Sequence, residues 1–166
     1  MENEYLGFLK CPLGLIEIKA NKDSITSVLF VFDQYKNIAE NTNGIINQCK
    51  KQLSEYFSGE RKSFDLNIHQ EGTPFQMRVW NELLEIPYGK TISYNHLAEA
   101  LGDKKTIRAV GGANGRNLIS IIVPCHRVIG SDGSLIGYAG GMWRKKWLLG
   151  HEKQFSGQEI QMELGL

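Results

Sequence analysis

The sequence predicts an α+β chain: a small N-terminal antiparallel sheet with one helix against it, then a mainly helical C-terminal part with a winged helix-turn-helix. Three observations carry this. Most strand-like runs, separated by polar turns, lie in the first 70 residues. Apolar residues at three-to-four spacing recur beyond residue 73. Two short capped segments then meet at a tight turn containing glycine, the pattern of a helix-turn-helix. At 166 residues the chain suffices for one domain or two small ones, each with a buried core.

In chain order, residues 15–20 and 24–32 read as paired strands, with Asn21, Lys22 and Asp23 as the turn between them. From residue 38 to 57, Ile45, Ile46, Cys49, Leu53 and Tyr56/Phe57 mark the apolar stripe of a helix, which assigns Cys49 to the core. Phe64, Leu66 and Ile68 alternate with Asp65 and Asn67, giving a further strand. Gln70-Glu71-Gly72 is the linker that separates a domain over 1–72 from one over 73–153, with 154–166 as a tail. Thr73 as N-cap, Pro74 at the first helical position and Gln76 completing a capping box open the next helix. Its inner face is Phe75, Val79, Leu83 and Ile86, and it ends before Pro87. Ser93 caps a helix over 94–101 that stops at Gly102, and Thr106 opens another over 107–113. Residues 119–123 read as a buried strand ended by Pro124, because proline donates nothing to a ladder. Residues 130–134 form the tip of the wing. A last helix over 142–149 has Arg144, Lys145 and Lys146 on a basic side and Trp143, Trp147 and Leu148 on an apolar one.

Composition narrows the function classes. The chain is 42% hydrophobic and 22% charged, as soluble globular proteins are, and no apolar run approaches the roughly 18 residues of a membrane span. The acidic start Met1-Glu2-Asn3-Glu4 is unlike a signal peptide, so the expected location is cytoplasmic, with no membrane partner. Cys11, Cys49 and Cys125 form no CxxC pair, so neither a disulfide framework nor a zinc site is expected, and no cofactor motif is present. Residues 1–72 carry 8 basic and 10 acidic side chains, whereas 73–153 carry 11 basic and 6 acidic. That asymmetry favours an anionic partner for the second part, nucleic acid included.

Chemistry concentrates at Pro124-Cys125-His126-Arg127-Val128. A nucleophilic cysteine needs cationic or hydrogen-bonding neighbours to hold its thiolate, and His126 and Arg127 are candidates. The alternative is a buried structural cysteine beside a solvated His-Arg pair. The helix over 107–113 is poor in the long donors and acceptors that read base edges: only Arg108 is long, while Ala109, Gly111, Gly112 and Ala113 are tiny. Small residues let the backbone approach a narrow groove without sequence preference. The competing explanation is close packing against another helix.

Arg108-Ala109-Val110-Gly111-Gly112-Ala113, Asn117, the Pro124–Val128 motif and Gly137-Tyr138-Ala139-Gly140-Gly141 closely resemble the O6-alkylguanine-DNA alkyltransferases, also called methylated-DNA–protein-cysteine methyltransferases. Thr91-Ile92-Ser93-Tyr94 and Trp147-Leu148-Leu149-Gly150-His151-Glu152 extend the resemblance over 73–153. The first 70 residues are similar in architecture only, to the family's ribonuclease-H-like domain.

The resemblance implies a DNA-repair protein, active as a monomer, that takes an alkyl group from O6-alkylguanine irreversibly onto Cys125, once per molecule. Double-stranded DNA would be bound through the minor groove and the damaged base flipped out. Cys125, His126, Glu152, Tyr94 and Asn117 would form the catalytic set, with a water between His126 and Cys125, since neighbours in extended chain face opposite ways. Asn117 would tie the recognition helix to the active-site turn, and Tyr94 would give its phenol proton to guanine N3. Arg108, Ala109, Gly111, Gly112, Ala113 and Tyr94 would meet DNA, with Arg108 filling the gap left by the flipped base. Cys125, Val128, Tyr138 and Ala139 would line the base pocket; many relatives carry serine where Ala139 stands. The rivals are a damage sensor that binds alkylated DNA without transfer, a Cys-His hydrolase and a sequence-specific transcription factor. Whether O4-alkylthymine is also a substrate stays open.

Overall fold

The computed structural model describes residues 4–163. The acidic residues 1–3 and the end of the tail, 164–166, lie outside the described residues. The chain divides into two compact units, residues 1–71 with 118–122, and residues 72–117 with 123–166. The segment 118–122 thus leaves the second unit and returns to the first.

The first unit is a three-stranded antiparallel sheet in the order β1 (Tyr5–Cys11), β2 (Gly14–Ala20), β3 (Ile25–Val31), with α1 (Gly44–Phe57) against it. The first strand has no counterpart among the sequence expectations. Its apolar residues do not alternate, and Gly7 interrupts them. The glycine has a packing reason: a Cβ there would stand 2.5 Å from Ile46 Cγ2, so its absence lets α1 approach the sheet. A Pro12-Leu13 turn joins Cys11 to Gly14, which takes φ +115°. The helix is shorter than expected, beginning at Gly44 where Asn43 accepts from the Ile46 amide at 2.9 Å. Residues 33–37 form a separate 3-10 turn. Ile46, Cys49, Leu53 and Tyr56 are buried, as the stripe required.

Two expected strands do not form. Over 64–68 there is one bridge, Ile68 with Ile25. Buried Gln52 meets Asp65 with its own amide, donating to the carbonyl at 3.0 Å and accepting from the N–H at 2.9 Å, in place of a strand partner. Over 119–123 there is again one bridge, Ile119 with Val28, and Ile121 takes φ +72°, a costly conformation for a β-branched residue. Burial there was foreseen correctly; the extended backbone was not.

The second unit opens on α2 (Pro74–Leu84), with the Thr73/Gln76 capping box formed. A two-stranded parallel pair, β4 (Ile92–Ser93) and β5 (Val128–Ile129), follows in space. Ser93 caps α3 (Tyr94–Ala100), accepting from the His96 amide at 3.0 Å, and Gly102 ends it at φ +97°. A 3-10 turn over Lys104–Thr106 leads into α4 (Ile107–Gly115), completing the helix-turn-helix. Trp80 of α2 donates Nε1–H to the Ala113 carbonyl at 2.9 Å. The wing turn closes with Gly130 N–H to Ser134 O at 2.8 Å, and no second strand follows it among the described residues. The last helix, α5 (Met142–Glu163), continues well past residue 149, so most of the expected tail is helical. No described helix is long and apolar enough to cross a membrane.

Candidate active site

Cys125, His126 and Arg127 lie on a single 3-10 turn between Pro124 and β5, not in the extended chain expected from the sequence. All three side chains are buried, His126 completely. Burial pushes the Cys125 thiol above its ordinary range, opposed by a hydrogen bond from the Asn117 side chain and by the Lys145 charge. The resting group is therefore the thiol. Asn117 also donates to the Val123 carbonyl at 2.9 Å, which fixes the end of α4 against this turn.

His126 Nε2 meets Glu152 Oε2 at 2.5 Å, and Arg127 Nε donates to Glu152 Oε1 at 2.7 Å. The Gly89 amide adds a third bond to Oε1 at 3.2 Å, and Arg127 Nη1 donates to the Ile86 carbonyl at 2.7 Å. Gly89 sits at φ +76° in the loop after α2, and a Cβ there would collide with Ser156 Oγ. Burial raises the Glu152 carboxyl, but the His126 and Arg127 contacts outweigh it and bring its pKa to about 2. Glu152 is thus ionised. Burial pushes His126 down, against the pull of Glu152, leaving the imidazole neutral at pH 7. A neutral ring that gives Nε2–H to Glu152 presents Nδ1 as a base, and Nδ1 is buried without a protein partner among the described residues.

Two expectations change here. Arg127 is not the thiol's cation, since its guanidinium is spent on Glu152 and Ile86. That place falls to Lys145, which belongs to no exposed basic face: it is fully buried, and its Nζ donates to the carbonyls of Val128 (2.6 Å), Ile136 (3.0 Å) and Gly137 (3.3 Å). Burial lowers the Lys145 pKa and the Cys125 charge raises it. Lys145 was missed because lysine is almost never buried unless paired, and its partners are backbone atoms invisible in a residue pattern.

A groove of about 430 Å³ is lined by Tyr94, Ile107, Arg108, Gly111, Ile136 and Gly137, with the wing turn. It brings Tyr94, Arg108 and Gly111 together; Cys125, Val128, Tyr138 and Ala139 are not part of its lining. Tyr94 Oη donates to Ile136 O at 3.2 Å and accepts from Asn114 Nδ2 at 3.4 Å. Asn114, buried and absent from the sequence expectations, also donates to the Cys125 carbonyl at 3.3 Å. The Cys125 carbonyl additionally takes the Val128 amide, and the Val128 carbonyl takes Lys145. The backbone carbonyls of these two residues, expected to line the base pocket, are thus already engaged. Ala139 is exposed and Tyr138 half-buried.

Arg108, Ala109 and Gly112 are exposed on α4, and Gly111 is half-buried, whereas Ala113 is buried and faces the interior. Ala113 therefore leaves the outward surface assigned to it, because it falls on the same helical face as Val110. A Cβ at Gly111 or Gly112 would meet nothing within 4 Å, which removes close helix packing as the reason for these glycines.

Residues 74–154 match the family described as "6-O-methylguanine DNA methyltransferase, DNA binding domain", and residues 5–70 match "6-O-methylguanine DNA methyltransferase, ribonuclease-like domain". The chain belongs to the 6-O-methylguanine DNA methyltransferase family. A methylated-DNA–protein-cysteine methyltransferase of Methanosarcina acetivorans is 44% identical over 150 residues, 87% of this chain and 96% of that protein. The constitutive enzyme of that name from Bacillus subtilis is 43% identical over 157 residues, 90% of this chain and 95% of that protein. The crystal structure of Mycobacterium tuberculosis OGT in complex with DNA superposes with a TM-score of 0.80 at 42% identity, covering 89% of this chain and 92% of that one. Membership thus extends over the first 70 residues, where the sequence offered architecture alone.

Proposed function

We propose that the chain repairs O6-alkylguanine in double-stranded DNA by moving the alkyl group irreversibly to its own Cys125, one group per molecule. The observation that carries this is the buried His126–Glu152 pair on the cysteine's own turn, with His126 Nδ1 left as an unpartnered base. Through one bridging water, His126 takes the Cys125 proton while ionised Glu152 steadies the imidazolium, and the Lys145 charge favours the thiolate. The thiolate attacks the alkyl carbon: a C–S bond forms, the C–O6 bond breaks, and the electron pair leaves with the purine. Tyr94 supplies a proton at N3, so the base departs as neutral guanine, and the phenol regains its proton from the imidazolium. Cys125, Val128, Tyr138 and Ala139 contact the flipped base once it has entered.

DNA is met through the minor groove by the α4 face of Arg108, Ala109, Gly111 and Gly112, with Arg108 entering the stack. Little sequence preference is expected, because the small residues of this face cannot grip base edges. A monomer suffices, since every group invoked belongs to one unit of one chain.

The test is mass spectrometry after incubation with an O6-methylguanine duplex. One methyl group on the Cys125 peptide, and none in Cys125→Ser, is the expected result. Binding without mass gain would overturn transfer in favour of a damage sensor, and more than one methyl removed per chain would overturn the single turnover.

A further inference from the structure

The thiol and the phenol come from different elements, the Cys125–Arg127 turn and the start of α3, and one side chain touches the surroundings of both. Asn114 Nδ2 stands 3.3 Å from the Cys125 carbonyl and 3.4 Å from Tyr94 Oη. Both neighbours are acceptors at these contacts, since the Tyr94 hydroxyl proton is directed to the Ile136 carbonyl at 3.2 Å, so the amide must turn its nitrogen toward them. The consequence is an unsatisfied acceptor: Asn114 Oδ1 is buried without a hydrogen-bond partner among the described residues. An apolar residue of similar size would avoid that loss, so stability alone does not account for an amide here.

We propose that Asn114 is a positioning residue for alkyl transfer, holding the Tyr94 hydroxyl in register with the Cys125 turn and making the phenol a readier proton donor to the departing purine. A hydrogen bond donated to a phenol oxygen stabilises the phenolate more than the phenol. The same bond opposes the upward push that burial exerts on Tyr94. Because both donated bonds come from one amide at the end of α4, they also link the helix that meets DNA to the pair of reacting groups. This inference rests on the transfer reading, in which Tyr94 protonates the leaving guanine.

Single-turnover transfer rates should be measured for the intact protein, Asn114→Leu, Tyr94→Phe and the double variant on O6-methylguanine duplex. Tyr94→Phe is expected to lose about 10²-fold or more, the lower range of a general acid's contribution, and Asn114→Leu a smaller share of that loss. The double variant is expected to be no slower than Tyr94→Phe, because Asn114 acts through the hydroxyl. Multiplying effects would overturn the proposal. A second comparison does not depend on how well Asn114→Leu folds: the rate ratio between O6-methylguanine and an analogue with an electron-poor purine, a better leaving group. Within Asn114→Leu the ratio should shift toward the better leaving group, and an unchanged ratio would overturn the role. Failure of the underlying reading looks different: no alkyl on Cys125 of the intact protein, or a Tyr94→Phe rate equal to the original.

Discussion

Among the described residues of the first unit the fully buried large side chains are Leu13, Ile16, Ile18, Ile25, Ile46, Leu53, Tyr56, Ile119 and Ile121, and one buried amide, Gln52, serves a neighbouring stretch of backbone. The second unit buries Val79, Leu83 and Leu97 as well, but beside them stand His126, Arg127, Lys145 and Glu152, with Asn114 and Asn117. Both units are compact, so hydrocarbon was sufficient for a fold of this size. Buried ion pairs are commonly no better for stability than apolar residues of similar volume. The charged interior of the second unit instead fixes a neutral imidazole, an ionised carboxylate and a cation around a thiol, the arrangement that the proposed transfer needs.

Replacing Glu152 by Gln should break this arrangement most severely. It removes the anion shared by His126 and Arg127 and leaves a guanidinium buried without its counter-charge. Loss of one partner of a buried pair costs about 3–5 kcal/mol, and loss of the base's support should slow transfer by about 10²-fold or more. Urea unfolding and single-turnover kinetics read the two effects. In the first unit Leu53→Ala should cost a comparable roughly 2–5 kcal/mol while transfer per folded molecule stays unchanged. If Leu53→Ala slows the folded protein's chemistry, or Glu152→Gln spares it, the contrast between the units fails.

The next effect is of pH. His126 is held below its ordinary value by burial, so its contribution to stability is complete above the unfolded value of about 6.5 and is lost as pH falls. Glu152, at about 2, adds stability that is complete above roughly pH 4.3 and lost below it. The second unit should thus weaken in two acid steps. Trp80, Trp143 and Trp147 all belong to that unit, so tryptophan fluorescence in urea reports it selectively. Buried Cys49 of the first unit, raised to about 12, acts in the opposite direction: its contribution is complete below about pH 8.5 and lost as pH rises. Cys125 shares that alkaline behaviour, so the acid limb is what separates the units. Equal acid sensitivity by fluorescence and by the circular dichroism of the whole chain would remove the distinction.

Legibility in the sequence follows the same division between local and non-local causes. Thr73, Ser93 and Gly102 were readable because a cap or a helix stop is decided within four residues. The Cys-His-Arg motif was readable through resemblance, and the glycines of α4 were readable as an anomaly. The strand at Tyr5–Cys11 was hidden because Gly7 serves a residue 39 positions away, Ile46. The strands expected over 64–68 and 119–123 failed although Phe64, Ile68, Ile119, Ile121, Ile122 and Val123 are strand formers. Tertiary partners, Gln52 in the first case and the turn at Ile121 in the second, decide that backbone. Lys145 and Asn114 were invisible for the same reason: their partners are carbonyls and a hydroxyl that only the folded chain assembles.

The smallest predicted change in stability is also the one with a sign opposite to its effect on function. Gly111 and Gly112 stand within α4, where glycine costs about 1 kcal/mol against alanine. A methyl group at either meets nothing within 4 Å in the free protein. Gly111→Ala and Gly112→Ala should therefore each stabilise the second unit, by up to about 1 kcal/mol. If this face lies against a DNA groove, the same methyl groups prop the backbone away from it, and losing contacts worth roughly 1–3 kcal/mol should weaken duplex binding by about tenfold or more. The salt dependence of the remaining affinity should be unchanged, since no charge is removed, whereas Arg108→Ala takes a cation out of the phosphates' field and should make the slope shallower. Higher melting temperature with undiminished affinity would mean that α4 presents some other surface to DNA, and the glycines would again lack a reason.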